Sequence, residues 1–189
     1  QKPLIIYYMG FEVINVSRYY PRQTDFFLFD TSVWILLFCP IGNTRVYEQR
    51  AFSSFLKNVR SSRSSIFMTS LILSEYANAC LKMDFNKWAK TEGPIGAKYK
   101  RDYVGTDRYK KTVNLLIPTM QNIMSICEKG SDNFNFLDID KVLSHFQSID
   151  FNDSYYLELS KDSNFKIVTA DYDFVKYKNH GLGIITLLR

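Results

Sequence analysis

Short apolar runs that stop at an acidic residue and give way to helically spaced stretches recur along this 189-residue chain. They restrict the fold more than any other feature. Phe26-Phe27-Leu28-Phe29 is closed by Asp30, and Phe165-Lys166-Ile167-Val168-Thr169-Ala170 is closed by Asp171. A run of bulky apolar residues without polar alternation suits a strand buried on both faces. Strands that alternate with helices imply a mostly parallel sheet covered by helices on both sides.

The order of elements follows from turn and capping residues. Leu4-Ile5-Ile6-Tyr7-Tyr8 and Phe11-Glu12-Val13-Ile14-Asn15-Val16 read as two strands around Gly10. A strand over 26–30 leads into a helix opened by Thr31-Ser32 and broken by Pro40 and Gly42. Val46, Phe52, Phe55, Leu56 and Val59 give 46–59 an amphipathic helical stripe, and a strand follows at 66–69. A helix is expected over 71–83, then an irregular segment from Asp84 to Gly105. A second long helix is expected over 107–127, with a kink or break at Pro118. A strand near 134–137, helices over 139–147 and 152–161, and strands over 165–170 and 183–188 complete the reading.

Bulk properties remove several function classes. Hydrophobic content of 46% with 23% charged residues describes a folded globular chain. The longest apolar stretch, Phe26 to Phe38, is interrupted by Asp30 and falls well short of the ~20 residues of a membrane span. Cys39, Cys80 and Cys127 lack zinc spacing and read as buried free thiols in a reducing cytoplasm. His145 and His180 belong to no recognisable motif, and no phosphate-binding glycine loop is present. The formal charge of +5 suits a polyanionic partner.

The chemistry lies in the acids. Asp30, Glu75, Asp153 and Asp171 fall where a parallel sheet would gather side chains beyond the carboxyl ends of its strands, and Asp173 follows closely. Carboxylates gathered there repel one another unless a hard cation neutralises them, and Mg²⁺ or Mn²⁺ takes oxygen ligands. The pattern points to metal-dependent phosphodiester hydrolysis. Asp30 carries the most weight, because an acid ending a buried apolar strand is costly unless paired or ligated. Asp153 also reads as a helix N-cap, with Asp150 the stronger cap, and Glu75 as a solvated helix residue. The haloacid dehalogenase-like pattern needs a second Asp where this chain has Ser32.

Four segments together resemble the PIN domain family, best known for the toxin ribonucleases of toxin–antitoxin pairs. They are Asp30-Thr31-Ser32-Val33 after its apolar run, Leu73-Ser74-Glu75-Tyr76, Asp153-Ser154-Tyr155-Tyr156-Leu157-Glu158-Leu159, and Ile167-Val168-Thr169-Ala170-Asp171-Tyr172-Asp173-Phe174. The resemblance covers about Phe26 to Leu188. It leaves residues 1–25 as an extension without assigned role and 84–130 as a helical or loop insertion. It implies a three-layer α/β/α domain around a mostly parallel sheet of four to five strands. It also implies an acidic metal cluster of Asp30, Glu75, Asp153 and Asp171 with Asp173 outside it. Thr31 or Ser32 would supply a hydroxyl near the metal or phosphate, and Thr169 would hold the last strand's turn. RNA, an antitoxin protein and a second copy of the chain are the partners that the resemblance brings with it.

Lys98, Lys100, Arg101, Arg108, Lys110 and Lys111, interleaved with Tyr99, Tyr103 and Tyr109, form a basic, aromatic stretch. Lysine and arginine there would contact phosphates and the rings would stack on unpaired bases. The reading is a Mg²⁺- or Mn²⁺-dependent endoribonuclease. The alternatives are a PIN-like module that binds RNA or protein without cutting, and a DNA nuclease of related fold.

Overall fold

The computed structural model describes residues 5–8, 11–42, 45–176 and 182–187. Leu4, Gly10, His180 and Leu188 lie outside them. A seven-stranded sheet forms from β1 (Ile5–Tyr8), β2 (Phe11–Asn15), β3 (Phe26–Phe29), β4 (Ser65–Met68), β5 (Glu128–Lys129), β6 (Lys166–Val168) and β7 (Gly183–Thr186). Their spatial order is β1-β2-β7-β6-β3-β4-β5. Only the β1–β2 pairing is antiparallel. The helices are α1 (Thr31–Phe38), α2 (Val46–Ser61), α3 (Ser70–Thr91), α4 (Asp107–Ser125), α5 (Ile139–Phe146), α6 (Phe151–Ser163) and α7 (Asp173–Lys176), with a π-helical turn at Tyr99–Tyr103. The architecture is the three-layer α/β/α arrangement expected. The sheet is wider than the four to five strands read from the sequence, because β1 and β2 join it beside β7.

Strand β3 lies inside the sheet, between β6 and β4. Phe27, Leu28 and Phe29 are all buried, as befits a parallel strand enclosed on both faces. Phe55 of α2 packs on Phe27 and Phe29 with ring centroids 5.7 and 6.0 Å away. Trp34 of α1 lies 5.2 Å from Phe29 and donates its indole N–H to the Phe29 carbonyl at 3.0 Å. That bond fixes the backbone at the residue before Asp30. Cys39 and Cys80 are buried free thiols with sulfurs 3.0 Å apart, between the end of α1 and the middle of α3.

Three expectations are corrected. The segment 134–137 is a turn, and β5 takes the edge position beside β4 instead. The alternating phenylalanines there mimic a strand, yet Phe136 is 83% exposed and Leu137 alone turns inward, onto Val142, Tyr155 and Leu159. Pro118 does not interrupt α4, whose buried Thr112, Leu116 and Ile123 continue on both sides of it. Helix α3 runs on to Thr91 rather than stopping before Asp84.

Asp84 looks like a breaker in the sequence and is a buried structural acid, 1% exposed. Arg108 pairs with it at 2.5 Å, and Tyr103 Oη and Thr112 Oγ1 donate to it at 2.7 and 2.8 Å. Arg108 above all, with the two hydroxyls, outweighs burial and holds the Asp84 carboxyl down at about 2. Removing one partner of a buried pair strands the other charge. Arg108→Ala is therefore expected to cost about 3 kcal/mol in urea unfolding. A loss no larger than that of an exposed ion pair would show that Tyr103 and Thr112 suffice.

Candidate active site

From β3 the chain passes to β4 and β5 on one side, and β6 returns on the other. The β3–β6 boundary is thus the point where strand order reverses, where a crevice opens beyond the carboxyl ends. Asp30 follows β3, and Thr169, Ala170 and Asp171 follow β6. The Asp30 N–H donates to the Val168 carbonyl at 2.9 Å, stitching the two strand ends together.

Asp30 is 6% exposed and occupies the N-cap position of α1. Its Oδ2 accepts from Ser32 Oγ at 2.5 Å and from Thr169 Oγ1 at 2.9 Å. Burial, with the nearby Glu75 charge adding to it, raises the Asp30 carboxyl to about 6 against those two hydroxyls. Ser32 Oγ also accepts the Ala170 N–H at 3.0 Å, and Thr169 Oγ1 accepts the Asp171 N–H at 2.9 Å. Each hydroxyl thus ties Asp30 to the turn that presents Asp171. Asp173 donates its backbone N–H to Asp171 Oδ1 at 3.0 Å, and its side chain is exposed.

Glu75 arrives from the second turn of α3. Its Oε2 accepts from Thr31 Oγ1 at 2.8 Å and from Tyr156 Oη at 2.9 Å. Sequence reasoning does not single out Tyr156. A tyrosine in an apolar helix reads as core, and only its distance to Glu75 shows the second role. Asp150 is the N-cap of α6, accepting the Asp153 N–H at 2.9 Å, so Asp153 stands inside the helix. Asp153 is 8% exposed. Burial first, then the charges of Asp30, Asp150, Asp171 and Glu75, raise its carboxyl to about 8. Asp153 thus feels the charges of Asp30, Glu75 and Asp171, and Asp30 feels that of Glu75.

The opposite end of the same strand pair is built differently. Asp25, just before β3, pairs with Lys166 of β6 at 3.0 Å and accepts from Tyr19 Oη and the Arg22 N–H. Despite burial, those partners hold its carboxyl below the usual range. Among the described residues no salt bridge reaches any of the four acids at the carboxyl end.

Two buried carboxylates with raised proton affinity and hard oxygen donors fit a divalent cation such as Mg²⁺ or Mn²⁺. Among the described residues no three His, Cys, Asp or Glu side chains make a ready-formed metal cage.

Half of the basic stretch is paired with acids. Arg108 is spent on Asp84, Arg101 pairs with Asp102 at 2.8 Å, and Lys110 lies 3.6 Å from Asp107. Lys98, Lys100 and Lys111 are exposed. Tyr103 is fully buried among Phe85, Trp88, Tyr99 and Tyr109, so its ring cannot stack on a base. His145 sits 2.6 Å from Glu158, which Lys161 also meets at 2.6 Å, between α5 and α6. No helix among the described residues is long and apolar enough to cross a membrane.

No protein-family model and no curated protein match the sequence. Among solved structures the chain is similar to one in the crystal structure of VapBC2 from Rickettsia felis bound to a DNA fragment from their promoter. Identity is 12%, the TM-score is 0.53, and the match covers 85% of this chain and 98% of that one. PAE2754 from Pyrobaculum aerophilum aligns at 18% identity and a TM-score of 0.44, over 86% of this chain and 84% of that one. The fold is PIN-like.

Carboxyls raised from their ordinary value of 3.8 hold protons that the unfolded chain has released. Metal-free protein should therefore lose stability as pH rises from about 4 towards 8. Asp153→Asn should raise Tm at pH 8 and flatten that slope, and Mn²⁺ should stabilise the wild type more than the variant. A Tm that rises over this range would mean the crevice does not repel itself.

Proposed function

We propose that the protein is a Mg²⁺- or Mn²⁺-dependent ribonuclease that hydrolyses phosphodiester bonds of RNA in the crevice beyond β3 and β6. The observation that carries the reading is the convergence of four carboxylates from separate elements, with no cation of the described residues paired to them. Asp30, Asp153 and Asp171 are the residues assigned to hold the ion, with Glu75 beside them and Asp173 outside. A divalent ion held there supplies neutralisation of charge at the scissile phosphate and lowers the pKa of a bound water. The chain's own groups do the rest. Ser32 and Thr169 keep Asp30 oriented and link it to the Asp171 turn. Thr31 and Tyr156 hold Glu75 by one oxygen, leaving the other to orient the attacking water or a second ion. Asp153, with its raised proton affinity, can take up a proton in metal-free protein and releases it when a cation arrives.

The resemblance of the acidic segments to PIN toxins extends the proposal to a toxin role, with an antitoxin covering the acidic crevice and the protein acting in the cytoplasm; the matched VapBC2 chain shares the fold. Lys98, Lys100 and Lys111, together with the paired Arg101, Arg108 and Lys110, form the basic face assigned to the RNA backbone, where Arg108 contributes field more than contact. A second copy of the chain is a further proposed partner.

Cleavage of a mixed single-stranded RNA pool in Mn²⁺, Mg²⁺ or EDTA tests the reading. Asp30→Asn should lower the rate about 100-fold or more with its circular dichroism unchanged. Tyr156→Phe, which removes only a support of Glu75, should lower it about 10-fold. Metal-independent cutting, or full activity in Asp30→Asn, would overturn the assignment. The lack of a preformed cage among the described residues favours a second reading, a PIN-like module that binds RNA or protein without cutting. Tight RNA binding with no Mn²⁺ uptake by calorimetry would select it.

A further inference from the structure

A cavity of about 400 Å³ opens against the acidic crevice. Ser32 and Asp171 belong to both, and through Ser32 the cavity wall is one hydrogen bond from Asp30. The remaining walls are of another character. Ile35 of α1 and Met83 of α3 supply apolar surface, and methionine adapts its shape to what it meets. Tyr172 contributes an aromatic ring whose hydroxyl donates to the Leu187 carbonyl at 2.7 Å, so its position is set from the end of β7. Arg45 stands at the rim at the start of α2, its side chain two-thirds exposed although paired with Glu48 at 3.0 Å.

This lining selects by chemistry. A phosphate inside would meet the Asp171 carboxylate and apolar groups that donate nothing. A flat, uncharged aromatic group with polar edges would cover Ile35 and Met83, lie against Tyr172, and donate an edge N–H to the remaining lone pair of Ser32 Oγ. The space falls within the range of small-molecule pockets and exceeds what one side chain could fill. Nucleic-acid bases have these properties, and a base reaches such a pocket only when it is unpaired.

We propose that this cavity is a nucleobase subsite, receiving the base next to the scissile phosphate of a single-stranded substrate. Tyr172 is its stacking surface, Ile35 and Met83 its floor, and Arg45 the partner of the neighbouring phosphate. The assignment rests on the crevice being the phosphodiester site, and it makes cleavage depend on a base at one defined position. Duplex RNA is excluded, because its bases stay within their helix.

Two measurements on the full chain test it separately from the nuclease reading. In metal-free buffer, the ¹³C-methyl resonances of Ile35 and Met83 should shift on titration with adenosine or uridine 5′-monophosphate and not with ribose 5-phosphate. Equal responses to all three, or none, overturn the subsite. In Mn²⁺, a single abasic nucleotide walked through a cleaved RNA should slow the wild type about 10-fold at one position beside the cut, the scale of one stacked base. Met83→Trp, which narrows the cavity from its α3 wall, should slow intact RNA by a similar factor and lose that positional sensitivity. Arg45→Lys, which keeps a cation beside the buried Glu48 but loses the guanidinium fork, should weaken oligonucleotide binding while keeping the monophosphate shifts and the circular dichroism. A flat abasic scan in a wild type that cuts overturns the subsite and leaves the nuclease. Methyl shifts in a protein that cuts nothing retain the subsite and remove the nuclease.

Discussion

The side chain of Asp30 stands at the end of an interior strand of the sheet, held by two hydroxyls and near other carboxylates, with no described cation paired to it. Burying a charge in this way is among the costlier things a fold can do. The surrounding construction makes sense as support for it. Trp34 pins the carbonyl before it, the Asp30 N–H joins β3 to β6, and Ser32 and Thr169 fasten the turn that carries Asp171. A relaxed sheet end would let the acids drift apart into water, and the burial that raises Asp30 and Asp153 would be lost together with the repulsion that adds to it.

Two buried aspartates illustrate how a fold separates structure from function. Asp84 is enclosed as completely as Asp30 but is neutralised by Arg108 and two hydroxyls, which lower its carboxyl. Asp25, at the other end of β3, is likewise paired, with Lys166. Of the two ends of the β3–β6 pair, the carboxyl end is the one that gathers acids without such a partner among the described residues, and that is where strand order reverses. Paired and unpaired acids are thus divided, among the described residues, between the two ends of the same pair of strands.

Much of this is legible in the sequence, for definite reasons. An acid closing an unbroken apolar run marks both a strand end and a buried charge, so Asp30 and Asp171 stand out from the order of residues alone. Asp150 and Asp153 are harder, since Asp is favoured at a helix start, and the capping bond from the Asp153 N–H to Asp150 separates their roles. Tyr156 is invisible because its partner, Glu75, is distant in sequence. The same limit hides the Asp84–Arg108 pair, which turns an expected loop into helix and withdraws Arg108 from the basic stretch. The phenylalanines at 134 and 136 mislead in the other direction, because alternation says nothing about whether a neighbouring strand is there to receive it.

The edge strand β5 is only two residues long, one acidic and one basic, both exposed. An open sheet edge is a template on which another extended chain can build, and long apolar edges invite stacking of copy upon copy. Here the parallel sheet stops at Glu128 and Lys129, with Ser65 donating to Glu128 at 2.6 Å across the last pair of strands. An incoming strand would find almost no ladder to extend and two charges to desolvate. This rim of the molecule is closed to growth by its brevity and its two charges, and needs no further barrier against fibre formation on that side.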